Sequence, residues 1–294
     1  MKSTALTVAA VQMKFRPTIA GNTAWIVGVI KGSARAGADV VLFPECAVTG
    51  YNRDLSVVSR CEVEAALEAI ARAARAARCH VLVGCPTFAG QKRFNSLLVF
   101  DRRGREVFRY SKIHLTERDT RSFSPGKHLA LFPLEGVPCT AIICHERRYP
   151  ELVRLPVMAG AQIVFHPNAG LDSLSVSKAK RGGRDGIPVR AFENQVYYVF
   201  ANSVGPQGSG LWSAGDSKIV GPDGRVLALA DNRREQVIRA PLDLARAGRC
   251  YAREGRERPA CLRPYWRAMI SLLRRQSRRV AREPGRGGSG GGAR

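Results

Sequence analysis

A thiol stands at the end of an apolar, strand-like run, Thr140-Ala141-Ile142-Ile143-Cys144, and is followed at once by His145-Glu146-Arg147-Arg148-Tyr149-Pro150-Glu151. The Pro150-Glu151 pair suits the first turn of a helix, where proline's missing N–H costs nothing. The cysteine therefore sits on an elbow, where nearby positive charge and backbone amides can stabilise a nucleophilic thiolate. It is one of eight cysteines, at 46, 61, 79, 85, 139, 144, 250 and 261, with no metal-type CxxC pair and mostly inside apolar runs. Reduced thiols are expected, and the other seven read as small buried hydrophobes.

A nucleophile needs a proton acceptor. The usual one is a histidine backed by Asn or Asp, but of the five histidines His145 adjoins Cys144 and on a strand-like backbone faces the other way. His80 begins a core-like strand, and His114, His128 and His166 lie in contexts without a signature. Phe43-Pro44-Glu45-Cys46 offers a different base, a carboxylate at the end of a buried strand whose apolar flanks raise its pKa. In Tyr110-Ser111-Lys112-Ile113-His114-Leu115 a lysine alternates with aromatic and aliphatic residues, so an inward-facing ammonium there needs an anionic partner.

Short apolar runs, Ala5–Gln12, Ala38–Phe43, His80–Cys85 and Ser96–Phe100, read as buried strands. Asn22–Ala36 and Glu62–Ala77 carry apolar residues at helical spacing between them. Further strands are expected over Thr140–Cys144, Ala161–His166, Val196–Ala201, Ser217–Val220 and Val226–Ala230, with helices after Tyr149 and around Val189–Asn194. Pro222-Asp223-Gly224 reads as the turn of a hairpin. This order implies an α/β fold with helices covering its sheets.

The chain of 294 residues is 45% apolar and 24% charged, ordinary globular usage that excludes disorder as the main state. Its net charge of +23 would attract nucleic acid or anionic membrane if clustered. From Arg246 to Arg294 there are 14 Arg against Glu254, Glu257 and Glu283, almost half the excess, and the remainder is diffuse. No nucleic-acid-binding signature accompanies it, so nucleic acid is not the expected partner. No apolar run reaches the length of a bilayer span and no signal-type segment opens the chain, so a soluble, cytoplasmic protein is expected. Residues 1–245 read as one domain, 246–280 as a basic, helix-forming extension and 281–294 as a disordered Gly/Arg-rich tail.

Phe43-Pro44-Glu45, Lys112-Ile113-His114-Leu115 and Cys144-x-Glu146-x-Arg148-Tyr149-Pro150-Glu151, in that order, resemble the Glu, Lys and Cys motifs of the nitrilase superfamily of carbon–nitrogen hydrolases. Gln12, Phe123-Ser124-Pro125-Gly126, Arg190–Asn194, Ala201-Asn202 and the run Gly215 to Gly224 extend the similarity over roughly residues 5–245. The resemblance implies a four-layer α-β-β-α sandwich, a homodimer or higher homo-oligomer, and no metal or organic cofactor. It also implies that Glu45 takes the proton of Cys144, whose sulfur attacks an amide or carbamoyl carbon, while Lys112 and the backbone N–H of His145 stabilise the oxyanion. The family often has a second Glu that orients the lysine. That position is Asp119 here, a departure, with Glu117 two residues earlier as the other candidate.

Nitrilases usually carry Trp directly after the nucleophile, whereas this chain has His145, which favours a small-molecule amide or carbamoyl substrate over a nitrile. The elbow is similar to that of N-carbamoyl-D-amino-acid amidohydrolases, in which an arginine can clamp a substrate carboxylate. Arg147 or Arg148 could do so bidentately, although Arg148 could instead pair internally with Glu146 or Glu151. Asn168 opens a Gly-, Ser- and Lys-containing stretch to Pro188, expected to be mobile and to line the substrate pocket. The alternatives are a nitrilase and a non-enzymatic nucleic-acid-associated protein using the basic tail.

Overall fold

The computed structural model describes residues 5–179 and 186–282. The chain starts with β1 (Ala5–Gln12), crosses through α1 (Ile19–Arg35) to β2 (Val40–Leu42) and through α2 (Arg60–Ala77) to β3 (His80–Ala89). Both crossovers return parallel, and the Thr18 and Ser59 side chains cap the two helices by accepting from Gly21 and Glu62 N–H groups. Two antiparallel strands follow, β4 (Lys92–Phe100) and β5 (Glu106–Ser111).

A single-turn helix, α3 (Glu117–Thr120), then leads to β6 (Phe132–Leu134) and β7 (Val137–Ala141). After a 3-10 turn over Cys144–Arg148 come α4 (Glu151–Ala159) and β8 (Ile163–Asn168). The stretch after Asn168 holds β9 (Asp172–Ser173), which pairs with a later strand, and α5 (Leu174–Ala179). Its residues 180–185 lie outside the described residues. The chain continues through α6 (Ile187–Asn194), β10 (Tyr197–Asn202), β11 (Val204–Gly208), β12 (Leu211–Ala214), β13 (Lys218–Val220), β14 (Val226–Leu229) and β15 (Gln236–Asp243), and ends in α7 (Cys250–Glu257) and α8 (Arg263–Arg282).

Two six-stranded sheets result, ordered β15-β1-β2-β3-β4-β5 and β14-β13-β10-β8-β7-β6, with a small third sheet β11-β12-β9. Side-chain alternation sets the layers. Leu6, Val8 and Ala10 of β1 meet Phe165, Val199 and Ile219 of the other sheet in a shared core. The intervening Ala9 and Val11 turn outward onto Ile26, Ile30 and Ile70 of α1 and α2. Val164 and Tyr198 likewise turn outward onto Leu152 and Val153 of α4. This is the four-layer α-β-β-α sandwich, and strands buried on both faces explain why their sequences are continuously apolar. The Pro222-Asp223-Gly224 segment joins antiparallel β13 and β14, with Gly224 at φ +78°, a left-handed position that glycine takes without strain.

The basic C-terminal stretch is docked through its described residues. Ala252 of α7 and Ile270 and Leu273 of α8 are buried in the α4 cluster. The guanidinium groups of Arg256, Arg274 and Arg249 donate to the carbonyls of Met158 (3.2 Å), Ala159 (2.9 Å) and Gly160 (2.8 Å). These carbonyls end α4 without helical partners, at the negative pole of its dipole. Part of the arginine excess thus closes the helix that follows Cys144. Residues 283–294 of the expected tail lie outside the described residues. Among the described residues no helix is long and apolar enough to cross a membrane.

Candidate active site

Glu45 lies just beyond the C-terminal end of β2, an interior strand of its sheet, and is fully buried. Its backbone rests against Gly84 of β3, where an added Cβ would lie 2.2 Å from the Pro44 carbonyl oxygen and 2.7 Å from Glu45 Cα. Only glycine fits there. The carboxylate is held at both oxygens: Oε1 accepts from Lys112 Nζ (2.8 Å) and Asn95 Nδ2 (2.7 Å), and Oε2 accepts from the Ala169 N–H (3.0 Å). Burial nevertheless dominates, holding Glu45 above the ordinary carboxylate range despite the Lys112 charge.

Lys112 lies just beyond β5 and is also fully buried. Its N–H donates to the Asn95 carbonyl and its own carbonyl accepts from the Gly126 N–H, both at 2.8 Å. Gly126 again has no room for a side chain, since a Cβ would meet the Ser111 carbonyl oxygen at 2.0 Å. The ammonium bridges Glu45 and Asp119 Oδ2, each at 2.8 Å. Burial alone would lower its pKa, but Glu45, Cys144 and Asp119 carry it well above the usual lysine value, so it stays charged.

Asp119 reaches Lys112 because the cap of α3 aims it. Its Oδ2 accepts from the Thr116 N–H and hydroxyl (2.9 Å each), while the Thr116 hydroxyl accepts from the Asp119 N–H (3.1 Å). Its Oδ1 accepts from the Tyr51 hydroxyl at 2.8 Å, and the Tyr51 ring lies 5.8 Å from Lys112 Nζ. Glu117 points elsewhere: its side chain is 91% exposed and pairs with Arg121. The alternative that Glu117 orients the lysine is therefore corrected, because the first turn of α3 turns positions 117 and 119 to different sides.

Cys144 follows β7 with φ +52°, a left-handed conformation unusual for a residue with a side chain. The charges of Glu45 and Lys112 both act on its thiol. Burial, then Glu45, pushes the thiol up to about 12, against a downward pull from Lys112 and Arg147. At rest it is a thiol.

Glu146, two residues on, is buried and turned inward. Its carboxylate accepts from the N–H groups of Ile143 (2.7 Å), Ile113 (2.7 Å) and His114 (3.2 Å) and from the Tyr110 hydroxyl (2.8 Å). It thereby ties the Cys144 elbow to the segment carrying Lys112. Arg148 is exposed, and among the described residues it pairs with neither Glu146 nor Glu151, because the Glu146 carboxylate is taken up by backbone donors. Arg147 is half-buried beside the thiol it influences. Asn168 is buried next to Ala169. Its Nδ2 donates to Asn202 Oδ1 at 2.8 Å, while its own Oδ1 has no partner among the described residues. His145 is the second residue of the 3-10 turn, where the first N–H groups lack helical acceptors. Among the described residues no group of three or more His, Cys, Asp or Glu is placed to hold a metal ion.

Sequence reasoning missed Asn95, Tyr51 and Gly84, and read Glu146 only as a member of the Cys motif and a partner for Arg148. Gly84 had a legible signal, since a glycine inside a strand marks close backbone approach. Asn95 and Tyr51 carry none, as each acts only through a contact distant in sequence.

The family model described as carbon-nitrogen hydrolase matches residues 7–252. A protein named nitrilase from Pyrococcus abyssi is 31% identical, over 74% of this chain and 81% of its own length. The 2-oxoglutaramate amidase of Bacillus subtilis is 30% identical, over 70% of this chain and 79% of its own. An amidase from Nesterenkonia sp. AN1, solved as a double mutant in complex with acrylamide, superposes with a TM-score of 0.77 at 25% identity, covering 90% of this chain and 98% of that one. Another structure of that amidase carries the acetamide moiety of fluoroacetamide covalently added at its active-site cysteine.

Proposed function

The chain belongs to the carbon–nitrogen hydrolase family, and from that premise we propose that it hydrolyses a primary amide or an N-carbamoyl group through a thioester on Cys144. The observation that carries this reading is the buried ammonium of Lys112, held at 2.8 Å by both Glu45 and Asp119 and acting, with Glu45, on one thiol.

The thiol is protonated at rest, so its proton must leave as the sulfur attacks. Glu45, made more basic by burial, takes that proton while sulfur bonds to the acyl carbon. The carbonyl electron pair moves onto oxygen, where Lys112 and the His145 N–H stabilise it; a single such donor is typically worth ~10²–10³ in rate. The C–N bond breaks and the nitrogen leaves as ammonia or an amine with the proton from Glu45. Water then gives a proton to Glu45 and attacks the thioester. Collapse of that intermediate returns the proton to sulfur and frees the acid.

The half-buried Arg147 guanidinium beside the thiol supports a substrate that also bears a carboxylate, a chemistry shared with the 2-oxoglutaramate named for the Bacillus relative. The eight free cysteines suit a reducing compartment and support a cytoplasmic setting. The test is ammonia release across a panel of primary amides, N-carbamoyl amino acids and nitriles, with Cys144→Ala as control. Turnover of amides or carbamoyl compounds by the wild type alone is expected. Equal rates from both proteins would reject the thiol mechanism, and activity confined to nitriles would reject the substrate class.

A further inference from the structure

His166 is fully buried on β8 and forms no part of the Glu45–Lys112–Asp119 chain. Its Nε2 lies 3.1 Å from the carbonyl oxygen of Cys144, and its Nδ1 lies 2.9 Å from the Tyr198 hydroxyl on the neighbouring strand β10. A carbonyl oxygen can only accept, so Nε2 carries the hydrogen. Nδ1 is then the acceptor, and the Tyr198 hydroxyl donates to it. Burial, reinforced by the Arg147 charge, pushes the ring down to about 3, so it stays neutral around neutral pH and keeps this pattern there.

The bond matters because of what shares the Cys144 carbonyl. A trans peptide is planar, with its C=O and N–H pointing in opposite directions, and there are no cis peptide bonds among the described residues. The unit that ends in the Cys144 carbonyl also contains the His145 N–H. His166 and Tyr198 lie on the face of the sheet that Val164 and Phe200 turn toward α4. Tying the carbonyl to that face turns the His145 N–H the other way, toward the side of the first sheet, which carries Glu45 and Lys112. A five-residue 3-10 turn is by itself a weak constraint on its first peptide, and that peptide follows a residue at a strained positive φ.

We propose that His166, locked in one tautomer by Tyr198, is a positioning residue that aims the His145 N–H at the developing oxyanion by anchoring the Cys144 carbonyl. This rests on the hydrolase reading above and adds to it a device on the far side of the sheet from the reacting atoms.

The test separates two reactions of one sulfur. Amide hydrolysis passes through an oxyanion. Alkylation by iodoacetamide does not: sulfur bonds to the methylene carbon, the carbon–iodine bond breaks and iodide leaves, with the thiol proton passing to a base. Asparagine at 166 reaches only the place of Nδ1, whereas glutamine reaches that of Nε2. His166→Asn is expected to lower kcat by about 10- to 100-fold, less than outright loss of an oxyanion donor. Alkylation of Cys144, followed by peptide-resolved mass spectrometry, should stay within about threefold of wild type, and His166→Gln should restore most of kcat.

Hydrolysis unchanged in His166→Asn, or hydrolysis and alkylation falling together, would overturn the proposal. Should that variant fail to fold, Tyr198→Phe decides, because it keeps the ring and removes the lock. A fall in hydrolysis of at least about threefold with alkylation unchanged supports the assignment, and no fall overturns it. A wild type that is alkylated at Cys144 yet turns over no amide or carbamoyl compound would instead sink the hydrolase reading, and this inference with it.

Discussion

Replacing Asp119 by Asn removes one of the two negative charges on Lys112 while keeping the size of the side chain and one acceptor for the α3 cap. Both carboxylates touch the same ammonium at 2.8 Å, so their contacting oxygens stand no more than twice that distance apart. At that separation and an effective dielectric of ~20, two unit charges repel by about 3 kcal/mol, equivalent to ~2 pH units. Asp119 therefore adds to burial in holding Glu45 above the ordinary carboxylate range, and it also raises the Cys144 thiol. Its neutralisation lowers both, and recentring of Lys112 on Glu45 acts in the same direction. The acid limb of the kcat/KM profile reports the base in the free enzyme. It should move to lower pH by about 1–2 units, with a plateau about 3- to 10-fold lower because a less basic carboxylate is a weaker proton acceptor. Stability gives a second readout. Burial pushes Asp119 up, but the Lys112 charge and the hydrogen bonds from Lys112, Thr116 and Tyr51 hold it below its usual value. A depressed folded value contributes stability above the unfolded pKa of ~3.9 that is lost as pH falls through the folded value. The variant should thus be less stable at neutral pH by about 1–3 kcal/mol, and the gap should close in acid. The assay is ammonia release from about pH 4 to pH 9 beside thermal melts at the same pH values. An acid limb that stays within about 0.3 unit of wild type, or moves upward, would refute the electrostatic argument.

Glu45→Gln keeps the shape of the side chain and one acceptor for Lys112 but removes the proposed base, so kcat should fall ~10²–10⁴-fold with the circular dichroism spectrum unchanged; activity within tenfold of wild type would point to another base. Gly84→Ala forces a methyl group to within 2.2 Å of the Pro44 carbonyl, and since that neighbour is backbone the strand ends must part. Insoluble protein or a loss of turnover as large as that of Glu45→Gln is expected, and a soluble, active variant would show that Glu45 tolerates a displaced backbone. Ending the chain after Gly248 uncovers α4: Ile270 and Leu273 alone contribute on the order of 3–6 kcal/mol by burial, before the three arginine caps are counted. A melting temperature unchanged by that truncation would contradict the docking of α7 and α8.

The elements legible in the sequence are those whose burial writes a continuous pattern. Ala5–Gln12 is β1 residue for residue, and the Glu62–Ala77 periodicity lies wholly within α2. Strands β5 and β15 were not read as strands because each shows a partly exposed face, as in the run Gln236–Asp243, where arginine, proline and aspartate interrupt the apolar positions. The site divides along the same line. Glu45, Lys112 and Cys144 stand in local motifs, each beside the strand end or elbow that presents it, so the sequence context carries the geometry. Tyr51, Asn95 and His166 act through partners up to 68 residues away, and nothing beside them records the contact. Asp119 is the instructive intermediate. Judged by reach, an aspartate is one methylene short of the glutamate the family uses, which left Glu117 in contention. Reach is set by the backbone, however, and the backbone there is set by Thr116, whose spacing of three residues to Asp119 is itself a helix-capping signal. A capping box aims its third residue back over the helix start, and it is the box rather than the length of the side chain that delivers the carboxylate to Lys112.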